Sequence, residues 1–396
     1  MYSTMPNESS SLLPSSSSTA DSALGVKKCA ATVLISIGVM LVFFNTLPVS
    51  LPKVPLLEKS LNRLSDKYNC EKDDRYSKAT LKRAYELPYA ALFQDQRGQK
   101  KFEASDVTIV GDQVYSVCDN SWAISRFTKS LLPFNEDNVQ IGDPNREDED
   151  SGYEAIFHHE GVFYVVRESV YHGDHSKGRD ISSGKMGDYH AIIEELDLSE
   201  DDYTVVNECR SEFLFEGDSK GFEGAVGFPD EDDVLYVLGL CEGNHCSESR
   251  KNDVGNGRVV LMKKSEDPET TQCIWETVRV INIPPSAAFL DYSAIDITQD
   301  GRVAITSQEH SAVWLGQAKG IVNGVIDPIE FDFEVESAVL QFPKDGTCST
   351  IYCNIEGIHF MNDDMLMAVS DKMKSKGRQD FRCHDKDQSI HAFVIP

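Results

Sequence analysis

Short apolar runs rich in β-branched and aromatic residues, separated by polar turns, fill the chain from Tyr85 to its end. This pattern predicts β-strands joined by turns. Residues 52–84 differ, because their apolar positions 56, 57, 61 and 64 follow a helical spacing,. We therefore expect an all-β domain over residues 85–396, preceded by a short stalk over residues 52–84.

Five stretches share one pattern: a small or acidic residue, a small neighbour, a branched apolar residue, a turn and a second strand. They are "EASDVTIVGDQVYSVCDN" from Glu103, "YEAIFHHEGVFYVVRES" from Tyr153, "FEGAVGFPDEDDVLYVLGL" from Phe222, "YSAIDITQDGRVAITSQ" from Tyr292 and "NIEGIHFMNDDMLMAVSDK" from Asn354. The leading positions, here called the anchor residues, are Ser105, Glu154, Glu223, Ser293 and Glu356. At a constant spacing after four of them come Asp119, Glu168, Ser307 and Ser370, and the third unit slips to Gly239.

Strand-rich units that recur every 50–70 residues or so suggest the blades of a propeller. Third strands are expected near residues 123, 189, 257, 312 and 391, and fourth strands near residues 139, 212, 278 and 338. The last unit has no fourth strand of its own, and "YELPYAALFQ" from Tyr85 can supply it. Closing the ring in this way removes an exposed sheet edge. We expect a five-bladed β-propeller, with six blades as the alternative if one repeat is unrecognised.

Residues 29–51 contain no charge and enough consecutive apolar positions to cross a membrane,. A signal peptide is the alternative, but the run is too long for a typical one. We expect a retained signal-anchor helix of a single-pass type II protein. Basic residues flank both ends, so the positive-inside rule does not decide the orientation.

The tail over residues 1–28 is Ser-rich and is expected to be disordered and cytosolic. Its segment "ESSSLLP" matches the acidic dileucine pattern that sorting adaptors bind, with Glu8 ahead of Leu12 and Leu13. This predicts a protein of the endomembrane system (endosome, lysosome or vacuole) or of the plasma membrane, with the propeller lumenal or extracellular. The spacings of Cys241 with Cys246, and of Cys348 with Cys353, suggest local disulfides there.

The formal net charge of −27 argues against nucleic acid as a partner and favours cations,. In a propeller the first strand of each blade lines the central channel, so the anchor residues should meet around the axis. We expect them to ring the axis, with Asp106, Asp119 and Glu168 in a second ring.

Closely spaced carboxylates cannot all stay ionised without a counter-charge. One interpretation is a calcium ion bound by the anchor residues, because carboxylates, hydroxyls and carbonyls suit this ion and no His lies among them. The others are hydrogen bonds from carboxylates to backbone amides of the next blade, and protonated carboxyl groups.

Long loops after the second strands are expected above the anchor residues. They are unusually basic for this chain and suggest an anion-binding set, although flexible solvated loops are the alternative. The set comprises His172, His175, Lys177, Arg179, Arg250, Lys374 and Arg378.

The successive motifs "SVCDN", "YEAI…RES", "FEGAV", "YSAID…SQE" and "IEGI…SDK" resemble the SdiA-regulated family of five-bladed propellers, and more weakly the esterase-like phytase family. The resemblance spans about residues 103–396 and implies a calcium-associated propeller outside the cytosol. It implies no firm reaction. The chain departs from the pattern at Asp106 and Ala155.

Three functions therefore stay open. The first is a membrane-anchored propeller that binds calcium at the axial channel and a ligand at the loop-covered mouth. The second is a metal-dependent hydrolase of phosphate or carboxylic esters, similar to a phytase, an esterase or a nucleotidase, with Glu154, Glu223 or Glu356 as ligand or general base. The third is a protein-interaction platform.

Overall fold

The structure, a computed structural model, describes residues 80–147, 150–171, 189–215, 220–242, 246, 255–266, 273–373, 383 and 386–396. The predicted tail, membrane anchor and nearly all of the stalk lie outside these ranges. Within them, no helix has both the length and the apolar character that a membrane crossing requires. The only helical elements in these ranges are 3₁₀ turns at Tyr89–Leu92 and Pro285–Ala287.

The described part of the chain is all-β. The strands of its first half are β1 (Lys82–Pro88), β2 (Ala104–Val110), β3 (Gln113–Cys118), β4 (Ser121–Thr128), β5 (Val139–Ile141), β6 (Tyr153–His159), β7 (Val162–Tyr171), β8 (Tyr189–Leu198), β9 (Tyr203–Phe215), β10 (Phe222–Pro229) and β11 (Leu235–Cys241). Those of its second half are β12 (Arg258–Glu266), β13 (Cys273–Asn282), β14 (Ala294–Ile297), β15 (Arg302–Ser307), β16 (Ala312–Lys319), β17 (Ile321–Val322), β18 (Val325–Ile326), β19 (Asp332–Phe333), β20 (Ala338–Gln341), β21 (Ile355–Asn362), β22 (Met365–Ser370) and β23 (Ser389–Val394).

These strands form antiparallel four-stranded units in which sequence neighbours pair. The orders are β2-β3-β4-β5, β6-β7-β8-β9, β10-β11-β12-β13, β14-β15-β16-β20 and β21-β22-β23-β1. The predicted third strands correspond to β4, β8, β12, β16 and β23, and the predicted fourth strands to β5, β9, β13 and β20, so these predictions are confirmed.

The N-terminal strand completes the C-terminal unit. β1 pairs antiparallel with β23, with Glu86 opposite His391 and Leu87 opposite Ile390. The two ends of the domain are therefore held in one sheet, as "YELPYAALFQ" predicted. This pairing satisfies the edge of β23 that would otherwise be free.

The first strands of the units, β2, β6, β10, β14 and β21, contact one another in a closed ring. Each lies at the edge of its sheet. Buried side chains of successive units share hydrophobic clusters, as Ile124 does with Val165 and Leu238 does with Ile305. Sheets packed face to face around a common axis are the architecture of a β-propeller. Each buried aliphatic side chain contributes about 2 kcal/mol to this packing.

Two neighbouring units are also joined at their outer strands. β9 runs parallel to β13, with Arg210 opposite Ile274, and the two units thus form one eight-stranded sheet. The disulfide Cys209–Cys273 links the same two strands. β9 is much longer than its predicted core near residue 212, because it pairs along its length with β8, from Tyr203 to Phe215.

The disulfides confirm one predicted pair and correct the other. Cys241 is bonded to Cys246 as expected. Cys353, however, is bonded to Cys383, so the predicted local bridge from Cys348 to Cys353 is wrong. The reason is tertiary: Cys353 and Cys383 are both buried, with their Cα atoms 5.5 Å apart. Cys348 is also disulfide-bonded, and Cys118 is a free, buried thiol.

Candidate functional site

Four of the five anchor residues occupy β-bulges. The pairing of β2 with β3 skips Ser105, that of β6 with β7 skips Glu154, and that of β10 with β11 skips Glu223. Glu356 is skipped in the same way between β21 and β22. A bulge re-aims the side chain of its extra residue, so the repeated motif encodes a repeated change of side-chain direction.

The fifth anchor residue, Ser293, lies just before β14. Its N–H donates to the carbonyl of Thr306 at 3.1 Å, and its hydroxyl donates to the carbonyl of Ile355 in the next unit at 2.8 Å. This hydroxyl therefore ties two first strands together. Ser105 is buried, and its hydroxyl lies 3.5 Å from the carbonyl of Glu103.

The residue after the anchor must be small where first strands approach closely. A Cβ on Gly224 would lie 2.9 Å from the backbone nitrogen of Ile295, and one on Gly357 would lie 2.6 Å from the Cα of Asp106. Glycine at these positions permits backbone-to-backbone contact between neighbouring units. The Glu-Gly dipeptide thus combines an aimed carboxylate with a close inter-unit contact.

The three glutamate anchors converge. Burial raises the pKa of Glu154 well above its usual range, and the nearby carboxylates of Glu223, Glu168, Glu356 and Asp119 raise it further. We call these five residues the acidic mouth. They come from β6, β7, β10 and β21 and from the residue after β3, so only the closed ring brings them together.

One carboxylate of the acidic mouth has a side-chain partner from another unit. The Gln308 Nε2 donates to Glu356 Oε1, and only 8% of Glu356 is exposed. This neutral amide adds no positive charge beside Glu356. A cation among the carboxylates would reduce the repulsion between them.

A second cluster adjoins the acidic mouth. Carboxylate oxygens of Glu103, Asp119 and Asp371 all lie within 4.8 Å of one another. Burial, followed by the charges of Asp371, Glu103 and other carboxylates, raises the pKa of Asp119 to about 8. Asp119 Oδ1 is buried, and no described residue donates a hydrogen bond to it. The positive charges beside this cluster include Lys372 and Lys101, whose Nζ atoms lie 3.4 Å and 3.7 Å from Glu103.

Strand register shows why sequence spacing missed Asp371. In each of the four units with a bulge, the residue just before the anchor residue pairs with a residue of the second strand. These second-strand partners are Cys118, Arg167, Cys241 and Ser370. The next residue is acidic in all four units: Asp119, Glu168, Glu242 and Asp371. Gly239 and Ser370 are therefore not the equivalents of Asp119. The pairings of Gly239 with Ala225 and of Ser370 with Ile355 correct these two assignments.

Asp106 has a different environment from the acidic mouth. Its Oδ2 accepts the N–H of Ile156 in β6 at 2.9 Å, and burial raises its pKa well above the usual range. Asp296 makes the same kind of hydrogen bond across another boundary, where its Oδ2 accepts the N–H of Phe360 at 2.7 Å. These two carboxyl groups tie neighbouring first strands through amide hydrogen bonds, which is one of the roles considered for the acidic positions.

The predicted anion-binding residues stay a prediction. His172, His175, Lys177, Arg179, Arg250, Lys374 and Arg378 lie outside the described ranges. The strands that carry their loops end at Tyr171, Cys241 and Ser370, beside residues of the acidic mouth or their structural equivalents.

Comparisons with known proteins give no relative. No family model matches the chain, and no curated protein matches it. The resemblance to the SdiA-regulated family therefore stays a prediction.

Among solved structures, a luciferin-regenerating enzyme is 8% identical, covers 79% of this chain and 95% of its own, and gives a TM-score of 0.36. Regucalcin from Agrobacterium tumefaciens, described as a calcium-binding protein, is 9% identical, covers 80% of this chain and 96% of its own, and gives a TM-score of 0.36. A glutaminyl cyclase from Myxococcus xanthus is 11% identical, covers 55% of this chain and 61% of its own, and gives a TM-score of 0.27. TM-scores this low do not support an inference about this chain.

Proposed function

We propose that residues 85–396 form a five-bladed propeller that binds a divalent cation, calcium, at the acidic mouth. The closed ring of five first strands supports the blade count. The observation that carries the cation site is the convergence of four other carboxylates on Glu154, whose pKa is raised first by burial and then by these neighbouring charges. A bound cation would remove this repulsion and leave all five groups ionised.

The chemistry of the donors favours calcium. The acidic mouth offers carboxylate oxygens from several strands, and Glu103 and Asp371 extend the set through Asp119. Calcium takes six to eight oxygens in flexible geometry, whereas zinc prefers nitrogen and sulfur ligands. Because the Ser293 hydroxyl is held by Ile355, carboxylates rather than the anchor hydroxyls form most of the proposed site.

The basic loops would then bind the second ligand, a small anion. A cation at the acidic mouth would turn a surface that repels anions into one that attracts them. Lys177, Arg179, Arg250, Lys374 and Arg378 belong to loops that follow the strands ending near this mouth. A small anionic ligand held between the cation and these loops fits this charge arrangement.

The location proposed for this binding protein is a lumen or the cell exterior. Residues 29–51 anchor it in the bilayer, and the tail carries the sorting signal of Glu8, Leu12 and Leu13. The disulfides support an oxidising compartment, since such bonds are rare in the cytosol,. A glycan scan or protease protection of membranes tests this orientation.

A hydrolase is the second candidate, favoured by the raised pKa of Asp119, which is about 8. A carboxyl group that titrates near neutral pH suits general acid-base catalysis. In this version the cation polarises a phosphoryl or carbonyl oxygen of an ester. A panel of phosphate and carboxylic esters separates it from pure binding, and activity absent with calcium bound would exclude it for the esters tested.

The proposal is tested by thermal unfolding of the lumenal domain with EDTA, calcium or magnesium. Calcium at about 100 times its Kd should raise the unfolding temperature by roughly 5 °C, because it binds only the folded state. Glu154→Gln should abolish the shift. Glu208→Gln, at an exposed position on β9, is the matched control and should retain it. A domain whose unfolding is unchanged by calcium and by EDTA would overturn the cation site and leave an interaction platform.

A further inference from the structure

A cavity of about 490 Å³ lies on the axis of the ring. It is lined by all five first strands, from their middles to the ends remote from the anchor residues, with Asp106–Gly111 and Ile358–Phe360 among its walls. We call it the axial cavity. Its volume falls within the range of roughly 300–1,000 Å³ typical of small-molecule sites. It is distinct from the acidic mouth, which lies at the opposite ends of these strands.

The walls of the axial cavity are formed largely by the edges of the five first strands. Each first strand is the edge of its sheet, so one row of its N–H and C=O groups has no partner within the sheet,. Asp106 and Asp296 satisfy two of these donors, the amides of Ile156 and Phe360. The remaining edge groups supply both donors and acceptors to whatever fills the cavity.

Two side chains in the cavity wall are arranged to contact a ligand. Thr108 is only 6% exposed, and it belongs to the cavity lining, where it contributes a hydroxyl group. His359 Nδ1 lies 3.3 Å from Asp296 Oδ1. A proton on Nδ1 facing this carboxylate leaves Nε2 as an acceptor, because the partner of one ring nitrogen fixes the role of the other.

The lining also restricts the charge of a ligand. No Lys or Arg is among the described residues that line the cavity, whereas Asp106 and Asp296 are. An anion would therefore meet two carboxyl groups with no Lys or Arg beside them, and His158, His159 and His359 are the basic side chains among the described lining residues,. A cation would find those two carboxyl groups already engaged by amides and by His359. Apolar side chains such as Phe157 and Val226 complete the wall.

We propose that the axial cavity binds a small neutral polyhydroxylated molecule, a polyol or a monosaccharide. Hydroxyl groups both donate and accept, which matches the mixed backbone edges, the Thr108 hydroxyl and His359 Nε2. The C–H faces of such a molecule suit the apolar wall. This site goes beyond the proposed cation site and does not depend on it.

The experiment is saturation-transfer difference NMR on the lumenal domain in EDTA, with myo-inositol and D-glucose as probes and with gluconate and choline as charged comparators. Thr108→Val and His359→Gln should each weaken binding of the neutral probes about tenfold, since each removes one hydrogen bond. Thr204→Val, on an exposed position of β9, is the matched control and should bind as the wild type does.

Binding of neither neutral probe would overturn the proposal. So would binding of gluconate or choline alone, or wild-type affinity in both Thr108→Val and His359→Gln. Using two variants keeps the test informative if one of them does not fold. Because EDTA removes any bound metal, the result of the polyol-binding experiment does not depend on the result of the calcium titration.

Discussion

Gly357 in β21 lies directly against Asp106 in β2. A Cβ on Gly357 would come within 2.6 Å of the Asp106 Cα and 2.5 Å of a methyl group of Val369. This contact joins the last unit of the ring to the first, at the position where the Glu-Gly motif recurs. It explains in steric terms why a residue without a side chain follows Glu356.

Gly357→Ala should destabilise the domain by about 2 kcal/mol, because the added methyl group overpacks a backbone contact that cannot move without opening the ring. Gly346→Ala is the matched control, since nothing lies within 4 Å of a Cβ placed there. Urea unfolding followed by tryptophan fluorescence measures both. Equal stabilities of the two variants would contradict the close packing of β21 on β2.

The free energy of unfolding should fall in acid because of His391. This residue is fully buried, and burial lowers its pKa from 6.5 to about 3. Its ring lies beside the Ser370 hydroxyl, the Tyr352 ring and the Glu86 carboxylate. Between these two pH values the unfolded chain binds a proton here that the folded chain does not.

The stability lost to this group is therefore about 1.4 kcal/mol per pH unit as the pH falls from 6.5 towards 3. His391→Gln should unfold along a shallower pH profile, whatever its stability at neutral pH. Denaturant unfolding at several pH values measures both profiles. Parallel profiles for the two proteins would show that His391 does not carry the acid sensitivity.

Calcium affinity should rise with pH up to about 8. Below that value Asp119 holds a proton, because burial and neighbouring carboxylates raise its pKa to about 8. If calcium must displace this proton, its affinity falls about tenfold for each pH unit below 8. Isothermal titration at pH 6, 7 and 8 measures the trend, and Asp119→Asn should flatten it. An affinity independent of pH in the wild type would place the cation away from Asp119.

The disulfide Cys209–Cys273 should contribute about 2–4 kcal/mol to stability, since it closes a loop with a sequence separation of 64 residues,. The double variant Cys209→Ala and Cys273→Ala removes it, and thermal unfolding measures the loss. The pair Cys241–Cys246, with a separation of only 5 residues, is the comparison and should contribute less when removed in the same way. An equal loss for both pairs would contradict the loop-length argument.

Repetition made the sheet order predictable from the sequence. The recurring strand patterns identified the first, second and third strands, and the missing fourth strand of the last unit pointed to the segment that became β1. Local patterns could not reveal the parallel pairing of β9 with β13 or the bond from Cys353 to Cys383. The first depends on how two units pack, and the second joins the segment before β21 to a residue between β22 and β23, with a sequence separation of 30.

The candidate site was predicted in part for a similar reason. The carboxylates of Glu154, Glu223 and Glu356 lie close enough to interact, because a repeated position in a closed ring is brought to the axis. Asp371 was missed because a bulge shifts the register between β21 and β22, which sequence spacing does not show. Ser293 occupies the same position of the repeat, but its hydroxyl donates a hydrogen bond to the carbonyl of Ile355.

The most direct test of the cation site is a crystal structure of residues 85–396 grown in calcium, with anomalous difference density collected at long wavelength. We predict a peak within coordination distance of carboxylate oxygens from Glu154, Glu223 and Glu356, or of their neighbour Asp119. No peak at the acidic mouth, with these carboxylates retaining the arrangement described above, would contradict the account.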